Sequence, residues 1–451
     1  MLFSSLTFLI WFLPTVLIVH TLLPQRWRNA FLLCASVFFY AWGEIRYVPL
    51  VLLSMTLNYF FGLQVGSGKR GKRKFWLVVS VLFNFGALVY YKYAGFLMDV
   101  LGLGAWAPVV VMPLGISFYT FQTQGYVVDV FRGKVPPEKN AINLMTFILL
   151  FPQLIAGPIV LYTDVAKELK VRPFLPEYFE KGMGQFIMGL AAKVLLANSL
   201  GALTEQVTLR AASSAPALWL ATLAGVLQLY FDFAGYSQMA IGMGNMLGFR
   251  FPKNFDFPLS ATSMRAFWRR WHMTLGVWLR DYVYIPLGGS RGKPWRTFLN
   301  LFVVWLFSGL WHGADYNHVL WGLWFFLWIA LERTRYGTFV DSHPGYGFVY
   351  TQLMFLIAWP LFHYSVPADA LHHFTRMFST VWSTDVLYLL RDHGVLLLIA
   401  VIACLRPVAR HAAEWGRRWP VLRVAAGLTV LILCLAALVN ENYNPFIYFR
   451  F

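Results

Sequence analysis

The sequence predicts an all-α integral membrane protein, on three observations. Of the 451 residues, 59% are hydrophobic and only 13% are charged, whereas a soluble protein of this length needs more polar surface to cover its core. The apolar residues come in long blocks, several of which reach the roughly 20 residues that span a bilayer. The first block, 2–23, is followed by further apolar blocks and no Ala-x-Ala site, so we expect a transmembrane helix there and not a cleaved signal.

We predict one polytopic membrane domain, 1–451, with about 11–13 transmembrane helices. The candidate spans are 5–24, 29–44, 47–66, 75–100, 112–131, 141–160, 182–200, 215–247, 297–312, 316–332, 347–364, 394–405 and 421–439. The span 215–247 is long enough to be a broken or strongly tilted helix. Segments 112–131 and 260–286 carry too many polar groups, Pro and Gly to face lipid, so we expect re-entrant or amphipathic pieces sheltered by other helices.

The basic residues predict the orientation of the chain. The loop 69–74 carries five Lys and Arg residues and should be cytoplasmic, which also places Arg26 and Arg28 inside. A second basic loop, 406–423, places the tail 440–451 outside. The formal net charge of +17 is thereby explained by membrane topology, and no nucleic-acid partner is expected. The cysteines Cys34, Cys404 and Cys434 lie in apolar runs and are expected to be small buried hydrophobes.

A basic and aromatic segment, 249–296, does not fit a plain helix bundle. Its arginines include Arg265, Arg269, Arg270 and Arg280, interleaved with aromatic residues. In one interpretation they belong to an interfacial helix and reach toward lipid headgroups. In the other they line a cytoplasm-facing entrance for a ligand with phosphates and an adenine ring, since arginine binds phosphate and stacks on rings. Both interpretations remain open for different arginines.

Three ionisable residues are candidate functional groups, and two of them, His312 and Asp232, lie at predicted membrane depth, where such side chains are costly. His312 lies near the end of a span in WLFSGLWHGADYNH. His272, in the basic segment, is equally consistent with a hydrogen-bonding brace and with catalysis. Asp232 must be paired, hydrated or protonated. His318 follows His312 by six residues, and no His-Glu-x-x-His or Cys-x-x-Cys occurs, so no metal site is expected. His372 and His373 are expected in a loop, with no role.

Five blocks carry a resemblance over nearly the whole chain. They are MPLGISFYTFQ (112–122), FPQLIAGPI (151–159), LYFDFAGYSQMAIGMG (229–244), FPKNFDFPLSATSMRAFWRRWHMTLGVWLRDYVYIPLGG (251–289) and SGLWHGADYNHVLWG (308–322). The opening MLFSSLTFLIWFLP and the closing NPFIYFRF add to it. The sequence resembles the bacterial polysaccharide branch of the membrane-bound O-acyltransferase family.

The resemblance implies a ring of transmembrane helices around a central tunnel. The family's invariant histidine falls on His312 and its second motif position on His272, which are the expected catalytic residues. The expected substrate-binding residues are Arg265, Arg269, Arg270, Arg280, Asp281, Asp232, Asn254 and Trp311.

The implied reaction takes an acetyl group from cytoplasmic acetyl-CoA, a substrate and not a bound cofactor. The acetyl group would reach a periplasmic acetyl-accepting or acetyl-transferring protein of a polysaccharide-modification system, for alginate-type exopolysaccharide. The location would be a bacterial inner (cytoplasmic) membrane, with many passes. Three alternatives remain: D-alanyl transfer from a carrier protein to teichoic acid, a transporter or flippase for lipid-linked sugars, and a scaffold in a secretion complex.

Overall fold

The computed structural model describes residues 1–108, 110–210 and 213–440, and these contain helices and no β-strand. The first eleven α-helices are α1 (Leu13–Leu22), α2 (Gln25–Glu44), α3 (Val48–Gly66), α4 (Arg70–Leu88), α5 (Ala94–Val100), α6 (Ile116–Phe131), α7 (Ala141–Leu149), α8 (Phe151–Leu154), α9 (Tyr162–Val165), α10 (Pro176–Ala191) and α11 (Asn198–Thr208).

The remaining α-helices are α12 (Ala215–Met246), α13 (Met264–Trp268), α14 (Met273–Leu279), α15 (Pro294–His312), α16 (Tyr316–Leu331), α17 (Arg335–Ser342), α18 (Pro344–His363), α19 (Pro367–Met377), α20 (Asp385–Ala403), α21 (Arg406–Arg418) and α22 (Pro420–Asn440). Wider π-helical turns occur at Thr7–Phe12, Val89–Tyr93, Ala192–Ala197 and Arg280–Tyr284. Short 3-10 turns occur at Ile45–Tyr47, Gly104–Trp106 and Pro258–Ser260.

Seven of the described helical stretches are long and apolar enough to cross a membrane. They are Gln25–Gly66, Arg70–Val100, Pro176–Thr208, Ala215–Met246, Pro344–His363, Asp385–Ala403 and Pro420–Asn440. Two shorter apolar stretches are Thr7–Leu22 and Tyr316–Leu331. Only 6% of the most apolar window of α22 is buried within the protein, so its apolar surface requires a lipid environment. The predicted all-α membrane fold is confirmed. The tail 440–451, which was predicted to lie on the outer side of the membrane, is beyond Asn440 not among the residues that the structure describes.

The predicted span 141–160 is wrong as a single helix. Helix α7 ends at Leu149, and the four-residue α8 carries Pro152 in its first turn. A proline there lacks an N–H and would clash with the carbonyl of residue 148 in a continuous helix. Side chains satisfy the freed backbone groups: the Gln153 amide donates to the Phe147 carbonyl, and Ser36 Oγ accepts from the Phe151 N–H at 3.1 Å. Irregular backbone is therefore sheltered by protein at this point.

The other unusual segments follow the sequence more closely. Helix α12 is continuous over 32 residues, about 48 Å at 1.5 Å per residue, so of the two alternatives for this span, broken or strongly tilted, the broken helix does not occur. The segment 260–286 forms the short helices α13 and α14 and a π-helical turn. Helix α6, within 112–131, is buried over nearly its whole length, including Gln122, Gln124 and Asp129, as expected for a piece that avoids lipid.

The chain forms two compact units. Unit 1 comprises Met1–Phe186 and Tyr236–Lys253, and unit 2 comprises Ile187–Gly235 and the chain from Asn254 onward. In unit 1, α6 packs against α3 and α4, and α7 packs against α2. In unit 2, α16 packs against α15 and α18. All of the candidate catalytic and substrate-binding residues predicted from the sequence lie in unit 2.

The pairing of α15 with α16 depends on two glycines. A Cβ on Gly309 would lie 2.3 Å from the His318 carbonyl oxygen, and a Cβ on Gly322 would lie 2.4 Å from the Trp305 carbonyl oxygen. Both obstacles are backbone atoms, which cannot swing aside as a flexible side chain can. The two helices therefore approach more closely than any other residue would permit at these positions. Because His312 is three residues after Gly309, this contact sets where its imidazole lies.

We expect Gly309→Ala to lower the melting temperature of the purified protein by several degrees, because the added methyl group forces α15 away from α16 and overpacking typically costs about 1–3 kcal/mol. The matched control is Gly427→Ala in α22, where a Cβ would meet no described atom within 4 Å. Thermal unfolding in detergent measures both variants. Equal melting temperatures for the two would contradict the close-contact role of Gly309.

Candidate active site

His312 is the last residue of α15 and is only 1% exposed. Its ring packs edge-on against Trp311, Trp321 and Phe362, with ring centroids 4.9, 5.0 and 5.5 Å away. These aromatic groups come from α15, α16 and α18. Three helices thus hold the imidazole in a dry, apolar setting, in which its interactions with a reacting group are stronger than in water.

His272 occupies an unusual backbone position. It is the N-cap of α14 with φ 42° and ψ 53°, in the left-handed region that non-glycine residues rarely adopt. The conformation is held from both sides, since the Met273 N–H donates to the Asn254 carbonyl at 2.9 Å and the Gly276 N–H donates to the His272 carbonyl at 3.1 Å. Residues kept in such regions by their surroundings cluster at functional sites.

Asn254 determines which nitrogen of His272 carries the proton. The Asn254 side-chain oxygen accepts from the Thr274 N–H at 3.3 Å and from Thr274 Oγ1 at 2.9 Å. A backbone N–H can only donate, so the atom it meets must be the amide oxygen. His272 Nδ1, which lies 3.1 Å from the same oxygen, must therefore be a donor. In the neutral ring Nε2 then holds a lone pair.

The environment of His272 keeps this ring neutral. The segment lies outside the apolar spanning stretches, and burial lowers the pKa of the His272 imidazole to about 3. Nε2 is buried and has no hydrogen-bond partner among the described residues. Neutral His272 consequently presents an acceptor, not a donor, to whatever occupies the adjacent space.

Trp311 joins the two histidines. Its indole ring lies 4.9 Å from the His312 ring and 5.4 Å from the His272 ring, centroid to centroid. Phe233 of α12 closes the other side of His272 at 4.7 Å. Trp311 is 4% exposed, so the residue predicted to bind substrate is a buried partition that positions both imidazoles.

Both histidines line one cavity in unit 2, with a volume of about 200 Å³. Its walls are mostly apolar and aromatic, and one wall is a single face of α15 ending at His312. The mouth carries Arg280, whose side chain is 58% exposed, and Tyr284. The lining residues are Trp268, Trp271, His272, Leu275, Gly276, Leu279, Arg280, Tyr284, Leu301, Val304, Trp305, Ser308 and His312. An enclosed space that joins a surface cation to buried imidazoles is typical of a substrate site.

Of the four candidate arginines, only Arg280 lines this cavity. Arg280 Nε lies 2.7 Å from Asp281 Oδ1, so Asp281 restrains Arg280 and does not itself line the cavity. Arg269 lines a separate hollow, and Arg270 donates to Ser260 Oγ at 3.3 Å.

Arg265 belongs to a structural network that the sequence did not reveal. Arg265 Nε lies 3.1 Å from Glu332 Oε2, and Arg265 Nη2 lies 2.9 Å from Asp341 Oδ2. Glu332, which is 1% exposed, also accepts from the backbone N–H groups of Met264 and Arg265 at the start of α13. These bonds hold in place the segment that carries His272. An acidic residue directly after the apolar α16 was the signal in the sequence.

Asp232 is paired, one of the three outcomes expected for a carboxylate at this depth. Its Oδ1 lies 2.7 Å from Lys193 Nζ, and both side chains are almost fully buried. Neither residue lines the histidine cavity. Lys193 was missed, although a lysine inside an apolar span signals such a pair. The pair links α12 to the π-helical turn Ala192–Ala197, so it serves the scaffold of unit 2.

His318 and His373 have structural partners. His318 Nδ1 lies 2.8 Å from Asp315 Oδ2, the N-cap carboxylate of α16. His373 was predicted to lie in a loop, but it is buried on α19, with its ring nitrogens 3.0 Å from Thr222 Oγ1 and 3.1 Å from the Tyr364 hydroxyl. The amphipathic spacing of 367–377 places it inward. His372, also predicted in a loop, is on the exposed face of the same helix.

The cysteines agree with expectation in two of three cases. Cys404 and Cys434 are buried and free, whereas Cys34 is free but exposed, so its predicted burial is wrong. The physical reason is that Cys34 lies on the outward face of α2, an apolar surface that composition alone does not separate from a core. No group of three or more His, Cys, Asp or Glu that could hold a metal ion occurs in the described part of the chain.

Comparison with known proteins extends this description. Residues 132–365 match the family model of the membrane-bound O-acyltransferases. The chain is 36% identical to the probable alginate O-acetylase AlgI of Pseudomonas putida, with all of both chains covered. It is 33% identical to the peptidoglycan O-acetyltransferase of Helicobacter pylori, over 72% of this chain and 68% of that one. It is 30% identical to the teichoic acid D-alanyltransferase of Streptococcus thermophilus, over 47% and 54% of the two chains.

The helices and the buried site define a multi-pass membrane protein with a histidine-lined cavity. The chain belongs to the membrane-bound O-acyltransferase family, and it is an O-acyltransferase. The matched region contains both cavity histidines and Arg280. Membership of this family favours an acyltransferase over the transporter and scaffold alternatives.

We expect Asn254→Asp to shift the pH profile of the enzyme. A carboxylate can accept the same hydrogen bonds from Thr274 and His272, but its negative charge favours the imidazolium and raises the pKa of His272. If catalysis requires neutral His272, the pH below which activity falls is higher in Asn254→Asp than in the wild type. The acid limb of the pH profile therefore moves to higher pH. Initial rates between pH 3 and 9 measure the shift.

Asn300→Asp is the matched control for Asn254→Asp. Asn300 is another buried asparagine of unit 2, and its side chain donates to the Gly289 carbonyl at 2.9 Å and forms no hydrogen bond with His272. The Asn300→Asp variant measures how much a buried carboxylate elsewhere in unit 2 lowers the rate. An Asn254→Asp enzyme with reduced rates but an unshifted acid limb would show that Asn254 only supports the fold.

Proposed function

We propose that this enzyme moves an acetyl group from cytoplasmic acetyl-CoA toward a periplasmic acceptor for O-acetylation of an alginate-type exopolysaccharide. The acetyl group passes to, or through, a periplasmic protein of the modification system, and the enzyme resides in a bacterial inner membrane. Full-length similarity to a protein named probable alginate O-acetylase supports this acceptor. The D-alanyltransferase relative covers only about half of the chain, which gives the teichoic acid alternative less support.

The single observation that carries the proposal is the cavity between Arg280 and the two histidines. A thioester donor has a charged, phosphate-bearing end and a reactive carbonyl at the end of a narrow arm. The cavity has a surface cation at its mouth and two imidazoles at its buried end. The phosphate-bearing end of the donor would thus meet the cation at the mouth, and its thioester carbonyl would meet the imidazoles at the buried end. A second opening, toward the acceptor, and a central tunnel belong to the proposal.

His312 acts as the general base. The acceptor hydroxyl oxygen attacks the thioester carbonyl carbon while a neutral His312 nitrogen takes the hydroxyl proton. The tetrahedral intermediate then collapses, the carbon–sulfur bond breaks, and the thiolate of coenzyme A leaves and receives the proton from His312. No atom of the protein is acylated in this sequence. The larger part of the rate gain comes from holding donor and acceptor together in the dry cavity.

His272 positions the reacting groups through its acceptor nitrogen. Asn254 fixes Nδ1 of His272 as the nitrogen that donates a hydrogen bond. Nε2 of His272 therefore accepts one, either from the acceptor hydroxyl or from a ring N–H of His312 after His312 is protonated. Donation from Nε2 to the developing oxyanion would require His272 to be protonated, and its burial opposes this. His272 is thus a positioning residue for the proton transfer.

Arg280 receives the charged end of the donor. Its guanidinium is exposed, faces the cavity mouth and is held by Asp281, so it is pre-oriented for a phosphate. Tyr284 beside it offers an aromatic face. Arg269 and Arg270 remain predicted substrate contacts outside the cavity.

His312→Gln should reduce acetyl transfer by about 10²–10⁴-fold, because general-base assistance is worth that much, while leaving melting temperature and membrane insertion unchanged. Radiolabelled acetyl transfer from acetyl-CoA in inverted membrane vesicles measures the loss. His372→Gln, at an exposed position on α19, is the matched control and should retain full activity. Wild-type turnover in His312→Gln would remove this residue from the mechanism.

Arg280→Gln should raise the KM for acetyl-CoA about tenfold, since a charge-assisted hydrogen bond to phosphate is lost, with little change in kcat. The same assay at varied donor concentration measures both constants. Arg291→Gln, which removes an exposed arginine outside the cavity, is the control. A fall in kcat at unchanged KM would contradict a donor-binding role.

The identity of the donor is tested by competition in the same vesicles. Unlabelled acetyl-CoA should suppress labelled acetyl transfer, whereas a D-alanyl carrier protein should not. Suppression by the carrier protein, with D-alanine appearing on the acceptor, would support the teichoic acid alternative.

A further inference from the structure

Unit 1 contains a second cavity that shares no lining residue with the histidine cavity and that the proposed reaction does not use. It has a volume of about 270 Å³ and is lined by the α1–α2 turn, the loop before α10 and the end of α12. We call it the arginine pocket. Its charged and titratable lining residues are His20, Arg28, Lys167, Glu168, Arg172 and Arg250. Four of these are permanent cations, against one carboxylate.

Arg172 is the central residue of the arginine pocket. It is only 2% exposed, although arginine is almost never fully buried unless it is paired. Its Nη1 donates to the Glu168 carbonyl at 2.8 Å. Its Nε and Nη2 are buried and have no hydrogen-bond partner among the described residues. Leaving a buried charge and two donors unsatisfied is costly.

The Arg172 guanidinium is fixed and cannot turn away from this position. It lies over the buried Phe249 ring at 4.3 Å. Its aliphatic stem lies against Gly248, at φ +83°, where a Cβ would come within 3.3 Å of Arg172 Cβ. The Arg172 carbonyl accepts from Arg28 Nη1 at 2.9 Å, and Arg28 Nε donates to the Leu23 carbonyl at 3.0 Å. These contacts therefore hold the Nε–Nη2 edge of the Arg172 guanidinium in one orientation.

The positive charge of the pocket is uncompensated. None of Arg28, Lys167, Arg172 and Arg250 forms an ion pair in the part of the chain that the structure describes. Arg250 lies over the Tyr178 ring at 4.7 Å, and both Lys167 and Arg250 are exposed at the mouth. Burial and the nearby charge of Arg28 lower the pKa of Arg172 to about 10. The pocket thus places four cations around the single carboxylate of Glu168, so most of its positive charge is not offset by the protein.

We propose that the arginine pocket binds a phosphate group. The Nε–Nη2 edge of Arg172 offers two parallel N–H donors, which matches two oxygens of a phosphate, and Lys167 and Arg250 add charge from the mouth. Glu168 opposes an anion, and the four cations outweigh it. Basic pockets beside membrane helices are suited to lipid headgroups, and the exposed apolar Val171, Phe174 and Leu175 at the mouth provide a surface for acyl chains. A soluble phosphate compound has the same recognition chemistry.

The proposal is tested by binding to the full-length protein purified in detergent and stripped of lipid. One arm adds phosphatidylglycerol, with diacylglycerol of the same chains as the phosphate-free comparison. The second arm adds inorganic phosphate, with chloride at equal ionic strength. Native mass spectrometry counts bound lipid, and the thermal shift with ligand concentration gives the apparent Kd. Preference for the lipid or for inorganic phosphate identifies the source of the ligand.

Two variants and one control separate ligand binding from folding. Arg172→Met keeps the apolar stem and removes the donors, and Arg250→Gln removes an exposed cation with little risk to the fold. Both should weaken phosphate binding at least tenfold. Arg26→Gln, an exposed arginine of the same turn that does not line the pocket, should bind as the wild type does.

His312→Gln should also bind normally, because the arginine pocket does not depend on the proposed reaction. Diacylglycerol binding as tightly as phosphatidylglycerol, with no response to inorganic phosphate, would overturn the proposal. So would equal phosphate binding by the wild type and Arg172→Met.

Discussion

A buried polar group that water cannot reach must find its partner inside the protein, and this constraint organises the whole molecule. Lys193 pairs with Asp232, Glu332 binds Arg265 and the start of α13, and Gln153 satisfies a carbonyl freed where α7 ends. Other buried side-chain atoms have no hydrogen-bond partner among the described residues, and those that line a cavity are the informative ones. His272 Nε2 and the Arg172 edge remain unpartnered among the described residues, and each lines a cavity.

Much of the fold was predictable, because hydropathy over about 20 residues is a strong signal. The spans near α3, α12, α15, α16 and α22 were found within a few residues of their ends. Local chemistry within a span was harder to predict. Pro152 breaks the stretch 141–160 at its centre, and the 32 residues of α12 form one unbroken helix. A hydropathy window averages over such single residues, so it detects the apolar stretch but not its shape.

The sequence named residues that the fold brings to one cavity, but it did not show the contacts that orient them. The sequence identified His312, His272 and Arg280, which line one cavity. Asn254 was expected to bind substrate, yet it orients His272 through contacts that depend on the pairing of distant segments. Lys193 and Glu332 were missed for the same reason, since a partner far along the chain is visible only after folding. For ionisable residues in apolar stretches, ion pairs among those residues should be considered before any of them is assigned to ligand binding.

The wall of the histidine cavity has a mechanical consequence. Leu301, Val304, Trp305, Ser308 and His312 lie along one face of α15, at the spacing of successive helical turns. A slide of α15 by one residue would rotate that face by about 100° and carry the imidazole away from the cavity. The helix would remain intact, and circular dichroism would record no change. Catalytic competence in this architecture is thus a matter of helix register, decided where two glycines let α15 and α16 meet.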